Sequence, residues 1–232
     1  MQQKYINGYC DLEDGVQQNL DAGVKYLQIF SHSPLQTVQQ MKNANLKGRV
    51  IIDSVLALNK KQLDKILSQN FPIAVYVDIL QREEADLEKI SFLNLPVVIP
   101  LFEDLNRMGQ ISSKYDCSPA KFIEDMGFLD RDCTILGGVY ADKDDIQILG
   151  DYGAKVVLCP ISLAKSGATF ANIPLMQKYG LKVLLGSGSE KMDFEKQIEF
   201  LYLTQLALLQ NPHAVEKNQI INLATGEEND NQ

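Results

Sequence analysis

Short apolar runs rich in β-branched residues recur along the chain, at Tyr5 to Cys10, Val24 to Phe30, Arg49 to Val55, Ile73 to Asp78, Pro96 to Phe102, Cys133 to Tyr140, Lys155 to Ile161 and Lys182 to Gly188. Several are almost unbroken, Val50-Ile51-Ile52 and Val156-Val157-Leu158 among them, as strands buried on both faces of a parallel sheet are. Polar stretches of helical period separate most of them. Alternation of strand and helix eight times over predicts an α/β fold, a (β/α)8 TIM barrel in a single domain over residues 1–225.

The punctuation agrees. Ser118-Pro119 supplies an N-cap and a first-turn proline, and Gly127 closes the helix predicted over Ala120 to Met126. Asp142 caps a helix from Lys143, with Asp144 and Asp145 in the first turn where the helix dipole favours carboxylates, and Gly153 marks its end. The Asn- and Glu-rich stretch 226–232 reads as a disordered tail. From Phe194 to Leu209 the stripe Phe194, Ile198, Tyr202, Leu206, Leu209 is joined by Leu201, Leu203 and Leu208, a wider apolar face than barrel packing requires. A covering C-terminal helix, or a second copy or partner subunit, would account for it.

At 232 residues and 45% hydrophobic content the chain can bury one large core. A net charge of −8 with scattered lysines and arginines offers nothing to a phosphate backbone or an anionic lipid surface, so neither nucleic acid nor membrane is an expected partner. No leader-like layout opens the chain and no apolar run approaches the ~20 residues that span a bilayer, so a cytoplasmic protein is expected. Cys10, Cys117, Cys133 and Cys159 stand far apart and read as reduced, structural thiols.

Five segments carry a resemblance to a known family. Pro-Val-Val-Ile-Pro-Leu-Phe-Glu at 96 to 103 resembles the fifth-strand signature of the amidohydrolase (metal-dependent hydrolase) superfamily, in which a metal-binding His precedes a Glu by three residues. The segment from Gly127 to Tyr140 is similar to that family's G-L-L-D-x-x-T-x-L-x-H-x-V-H, and Gly153 to Ser162 to its G-A-x-V-x-x-C-P-x-S, especially in the cytosine deaminase and chlorohydrolase branch. Gly180 to Gly188 resembles G-x-x-V-x-L-G-T-D, and Tyr5 to Glu13 the first-strand F-I-N-x-H-x-H-L-E. The resemblance implies a barrel that begins at strand one, without the small β-sandwich that family members build from flanking residues.

The family's metal ligands are missing from the matching positions. The first-strand His pair falls on Tyr9 and Asp11, the fifth-strand His on Pro100, the sixth-strand His on Gly137 and the eighth-strand Asp on Gly188. Zinc takes three or four side-chain N, S or O ligands, and the whole chain holds two histidines, His32 and His213. Without an ion there is no Lewis acid and no acidified water, so the family's hydrolysis is expected to be absent. Glu103 falls where the family keeps its proton-shuttling Glu, and Tyr140 where some members keep a second His near the substrate.

Barrel chemistry sits at the C-terminal strand ends, where the polar residues are Asp11, His32, Asp53, Asp78, Glu103, Tyr140, Ser162, Lys165, Ser187 and Ser189. Glu103, Asp11 and Tyr140 are the candidate catalytic residues, and His32, Asp53, Asp78, Ser162 and Ser187 the candidate contacts of a small polar ligand at the mouth. No metal ligand set and no cofactor are expected. If the carboxylates converge, they hold a divalent cation through oxygen, or one is raised by its like-charged neighbours into a general acid. Cys159, inside an apolar strand, is not expected to be a nucleophile, and no P-loop, G-x-G-x-x-G, H-E-x-x-H or nucleophile elbow occurs. The leading expectation is a pseudoenzyme, a non-hydrolytic binding or interaction protein. The alternative is an enzyme of changed chemistry, hydrolase-like on C–N bonds by resemblance, that works on a small polar substrate through Glu103 and Asp11.

Overall fold

The computed structural model describes residues 4–12 and 14–226. Eight parallel strands, β1 (Tyr5–Cys10), β2 (Val24–Phe30), β3 (Lys47–Asp53), β4 (Ile73–Tyr76), β5 (Val97–Leu101), β6 (Cys133–Gly137), β7 (Lys155–Leu158) and β8 (Lys182–Leu185), are hydrogen-bonded in chain order. The β8 segment then returns to β1: the Ser187 amide donates to the Tyr9 carbonyl at 2.8 Å and the Asp11 amide to the Gly188 carbonyl at 3.1 Å. The chain therefore forms the (β/α)8 barrel that the alternation predicts. Among the described residues no helix is long and apolar enough to cross a membrane.

Closure depends on Asn7, which is fully buried. Its amide donates to Asn19 Oδ1 at 2.7 Å and Ser187 Oγ at 2.9 Å, and its Oδ1 accepts from the Ser187 and Tyr9 amides at 3.1 and 3.2 Å. A register shift between Asn7 and Cys10 lets both residues face the surrounding helices, which a plain period-2 strand cannot do across three positions. Tyr9 is thereby turned into the barrel. There it joins Ile51, Ala74, Val98, Leu136, Val157, Cys159 and Leu184, with Phe30 and Tyr76 against them. The larger core lies between sheet and helices.

The N-terminal end of the interior is polar. Arg49 on β3 and Lys155 on β7 both reach Asp132, each at 2.7 Å. Gln28, the ladder partner of Arg49, and Thr134 are buried beside this layer on the same inward positions. In barrels of this type the bottom layer serves stability while the opposite end serves chemistry.

The predicted helix boundaries mostly hold. Ser118 accepts from the Lys121 amide to cap Pro119–Asp125, and Asp142 accepts from the Asp144 and Asp145 amides, both at 2.9 Å, to cap Lys143–Asp151. Asp142→Ala is expected to cost about 1 kcal/mol, a melting temperature lower by ~2–4 °C in a chain of this size, which calorimetry would resolve. Several predicted strands overran their C-terminal ends. Val55 lies in the helix Ser54–Leu58, and Pro160 opens the helix Pro160–Lys165 directly after β7. Thr225 ends the last helix, Lys217–Thr225, and Gly226 caps it in the left-handed conformation; the rest of the expected tail, 227–232, lies outside the described residues.

The helix Phe194–Leu209 forms where expected, but its buried face includes Gln197 and Gln205 as well as Phe194, Ile198 and Leu201. Gln205 donates to the Ala171 carbonyl and accepts from the Ile173 amide, fixing the segment ahead of the helix Ile173–Lys178. Leu203 and Leu208 are exposed.

Candidate active site

Glu103 follows β5 by two residues, and its direction is set by Phe102, a buried residue at φ +63°. A left-handed aromatic residue is strained, and such strain collects at functional positions. The Tyr140 amide donates to the Phe102 carbonyl and the Gly138 amide to the Leu101 carbonyl, both at 3.0 Å, which holds the kink. Beyond it the Glu103 side chain lies over Gly137. A Cβ on Gly137 would stand 2.1 Å from Glu103 Cγ, so the glycine at the end of β6 is the space the carboxylate arm occupies.

Burial raises the affinity of Glu103 for its proton; the Arg107 guanidinium opposes this, and the charges of Asp11 and Asp78 add to it. Asp11, half-buried at the end of β1, is also raised by burial, while a hydrogen bond from Ser189 Oγ at 3.2 Å and its own backbone amide draw it back. The two carboxyl groups thus sit in unequal environments, with the charge of Asp11 adding to the upward shift of Glu103, the arrangement from which acid and base roles separate. Tyr9, Tyr76 and Cys159 share this field, each raised first by burial and then by Glu103 or Asp11 among its neighbours.

The remaining candidates are dispersed. Asp53 caps the helix Ser54–Leu58 through the Val55 amide and pairs with Arg82 at 3.0 Å. Asp78 accepts from the Leu80 amide and pairs with Arg107 at 2.7 Å. Both were expected as ligand contacts; in each the cap amide and the arginine share Oδ1, and among the described residues the carboxylates do not converge as a metal-holding set. Ser187 is buried on the helix side of β8 with its hydroxyl between Asn7 and the Tyr9 carbonyl, which withdraws it from a ligand at the mouth. Tyr140 packs at the rim, its phenol oxygen accepting from the Thr169 amide at 3.3 Å. Ser162 lies against Gly188, whose added Cβ would meet its Oγ at 3.1 Å, and Lys165 pairs with Glu190. His32 is exposed, its ring edge-on to Phe30 at 5.0 Å. Asp11 and His32 share a cleft of about 350 Å³ at the ends of β1 and β2, lined also by Asp14, Ser31, Gln36 and Thr37.

The positions matched to a metal site do not fit a zinc-type ion. Pro100, Gly137 and Gly188 carry no side-chain donor, which leaves Asp11 as the one carboxylate of the set, with Oδ2 accepting from Ser189 and Oδ1 buried without a partner among the described residues. Among the described residues no three His, Cys, Asp or Glu side chains are grouped to hold a metal. Sequence reasoning missed Tyr76 and Arg107, and weighed Cys159 only as a structural thiol or a nucleophile. Tyr76 was visible only as an inward position of an apolar strand, and Arg107 carries no local signal.

No protein-family model matches the chain. It is 28% identical over 166 residues to a 5-methylthioadenosine/S-adenosylhomocysteine deaminase of Caldicellulosiruptor saccharolyticus, covering 70% of this chain and 39% of that protein. It is 20% identical over 225 residues to the enzyme of the same name from Pyrococcus furiosus, covering 95% and 53%. The chain thus spans about half or less of the length of these relatives. Among solved structures, E. coli guanine deaminase superimposes with a TM-score of 0.81 at 11% identity, covering 95% of this chain and 65% of that one. A zinc-bound adenosine deaminase from Xanthomonas campestris superimposes with a TM-score of 0.78 at 14% identity, covering 90% and 53%. These likenesses correct the expectation of a non-enzymatic binding protein. The relatives by sequence are named as deaminases, which favours the enzymatic alternative that the lost ligand positions had placed second, while the solved structures share the fold.

Proposed function

We propose that this chain, an amidohydrolase-superfamily barrel by the relatives it matches, is an enzyme that hydrolyses a C–N bond of a small, polar, amino-bearing heterocycle at its barrel mouth, with Glu103 and Asp11 as its acid and base. The observation that carries the reading is the placement of Glu103: a strained Phe102 and a side-chain-free Gly137 hold one buried carboxyl group past the end of β5, within reach of the charge of Asp11. Burial keeps Glu103 protonated to higher pH than an ordinary glutamate. Asp11, hydrogen-bonded by Ser189, is the better candidate for the ionised form.

In the reaction that follows, a water oxygen bonds to the ring carbon bearing the amino group while Asp11 takes a water proton. The C–N bond then breaks, and its electron pair leaves with nitrogen, which receives the proton of Glu103. The products are ammonia and the hydroxy or oxo heterocycle. General acid and general base catalysis each contribute ~10²–10⁴-fold. The substrate class is drawn from relatives whose names specify adenosine-type and guanine deamination. Because the donor set does not fit a metal, no step passes through one.

The test is ammonia release from adenosine, guanine and an aminotriazine, with and without a strong chelator. Turnover of one of them at a rate indifferent to the chelator is expected. A folded protein that releases ammonia from none of the three would overturn the assignment, as would activity that disappears with chelation and returns with zinc.

A further inference from the structure

Tyr9 is the residue that the acid and base pair leaves unexplained. The register shift in β1 turns it into the barrel, where it is 8% exposed within the interior cluster. The ring is buried, but the Tyr9 hydroxyl is not sealed from solvent; among the described residues it forms no hydrogen bond to the protein, which leaves it open to a ligand. The groups that act on it electrostatically are Tyr76, Asp11, Cys159 and Glu103, all at or beyond the C-terminal strand ends, so the hydroxyl lies on the mouth side. Tyr76 stands in the same field without a hydrogen bond of its own, its ring 5.2 Å from that of Phe30 at 61°. Three aromatic side chains therefore floor the mouth, and two of them present O–H groups that no protein atom uses.

We propose that the Tyr9 hydroxyl donates a hydrogen bond to the substrate, taking a ring nitrogen or carbonyl oxygen of a planar heterocycle that rests on the Tyr9, Phe30 and Tyr76 floor. The inference rests on the enzymatic reading and names the group that polarises its substrate. A donor aimed where negative charge develops during water attack is worth ~10²–10³ in turnover. Burial beside carboxylates keeps the phenol protonated and therefore able to donate. Tyr76 supplies a second donor of the same kind.

The chain contains nine tyrosines and no tryptophan, so ultraviolet difference absorption reports tyrosine environments alone. Wild-type protein, Tyr9→Phe and Tyr76→Phe would be titrated with adenosine and with melamine, and ammonia release measured alongside. Tyr9→Phe is expected to weaken binding ~10-fold or more, to erase part of the difference spectrum and to lower turnover ~10²–10³-fold. Its thermal transition should not fall, because the substitution removes a hydroxyl without a protein partner. Equal affinity and an equal spectrum for wild type and Tyr9→Phe would overturn the proposal even if ammonia is released, and so would failure of the wild-type protein to bind either probe. Binding that depends on Tyr9 without ammonia release would uphold it and overturn the hydrolytic reading instead.

Discussion

Glu103→Gln is expected to lower ammonia release by roughly three orders of magnitude while the protein stays folded and becomes more heat-resistant at neutral pH. Both effects follow from one placement. Glu103 is pushed upward first by burial, against Arg107 and with Asp11 and Asp78, so its charged form is disfavoured in the native state. A carboxyl whose folded pKa is raised contributes fully below its unfolded value near ~4.3, and that contribution is lost as pH rises through the raised value. The wild-type protein should therefore lose stability over that window, and Glu103→Gln, which cannot ionise, should not. Turnover should fall across the same window, since the acid role needs the proton. The measurements are kcat and the melting temperature of both proteins across pH. An unchanged kcat would remove Glu103 from the mechanism. Gly137→Ala is a useful companion: its Cβ would need the space 2.1 Å from Glu103 Cγ, so activity should drop with the carboxylate still present.

Much of this architecture is legible in the chain because a parallel barrel writes itself twice, as apolar runs and as the caps between them. Asp142 and Ser118 function as their spacing predicts. What the pattern hides is long-range pairing and local twist. Asp53 and Asp78 look like open strand-end carboxylates, yet each meets an arginine 29 residues away that no local motif announces. Ser187 reads as a mouth residue, but the strand that closes the barrel turns its hydroxyl to Asn7. Tyr9 enters the sequence reading only as the position matched to a first-strand His, and Tyr76 not at all, since nothing local separates it from the apolar strand around it. The absent ligand positions suggested lost catalysis, an inference that treats one chemistry as the only one the mouth can perform. Glu103 and Asp11 enter the reading through the resemblance, at the positions of the family's proton-shuttling Glu and of a first-strand His, because a strand-end carboxylate by itself is as readily a helix cap, as Asp53 and Asp78 are.

Asp132→Ala is expected to cost about 2 kcal/mol, a fall of ~4–8 °C in melting temperature, without altering the chemistry at the opposite end of the barrel. Asp132 joins Arg49 from β3 and Lys155 from β7 across the interior, with side chains 13% exposed for Arg49, 31% for Asp132 and 34% for Lys155. Breaking a fully buried pair costs ~3–5 kcal/mol and an exposed one under ~1, and this layer lies between those limits. Removal of the carboxylate leaves the Arg49 guanidinium, whose Nε already has no partner among the described residues, without its counter-charge and with the like charge of Lys155 in the same layer. Lys121→Ala is the contrast, since its pairs with Glu124 and Asp125 lie on the surface, and it should shift the transition by no more than a degree or two. Acid separates them further. Burial alone would raise Asp132, but hydrogen bonds and charge from Lys155 and Arg49 hold it below the ordinary carboxylate range. Its contribution is therefore complete above ~3.9 and is lost as pH falls from there through the lowered value. Acid titration of wild type and Asp132→Ala should show the two stabilities converging at the acid end. A difference that stayed constant down to the lowest pH would mean that packing around Asp132, rather than its charge, ties the bottom of the barrel together.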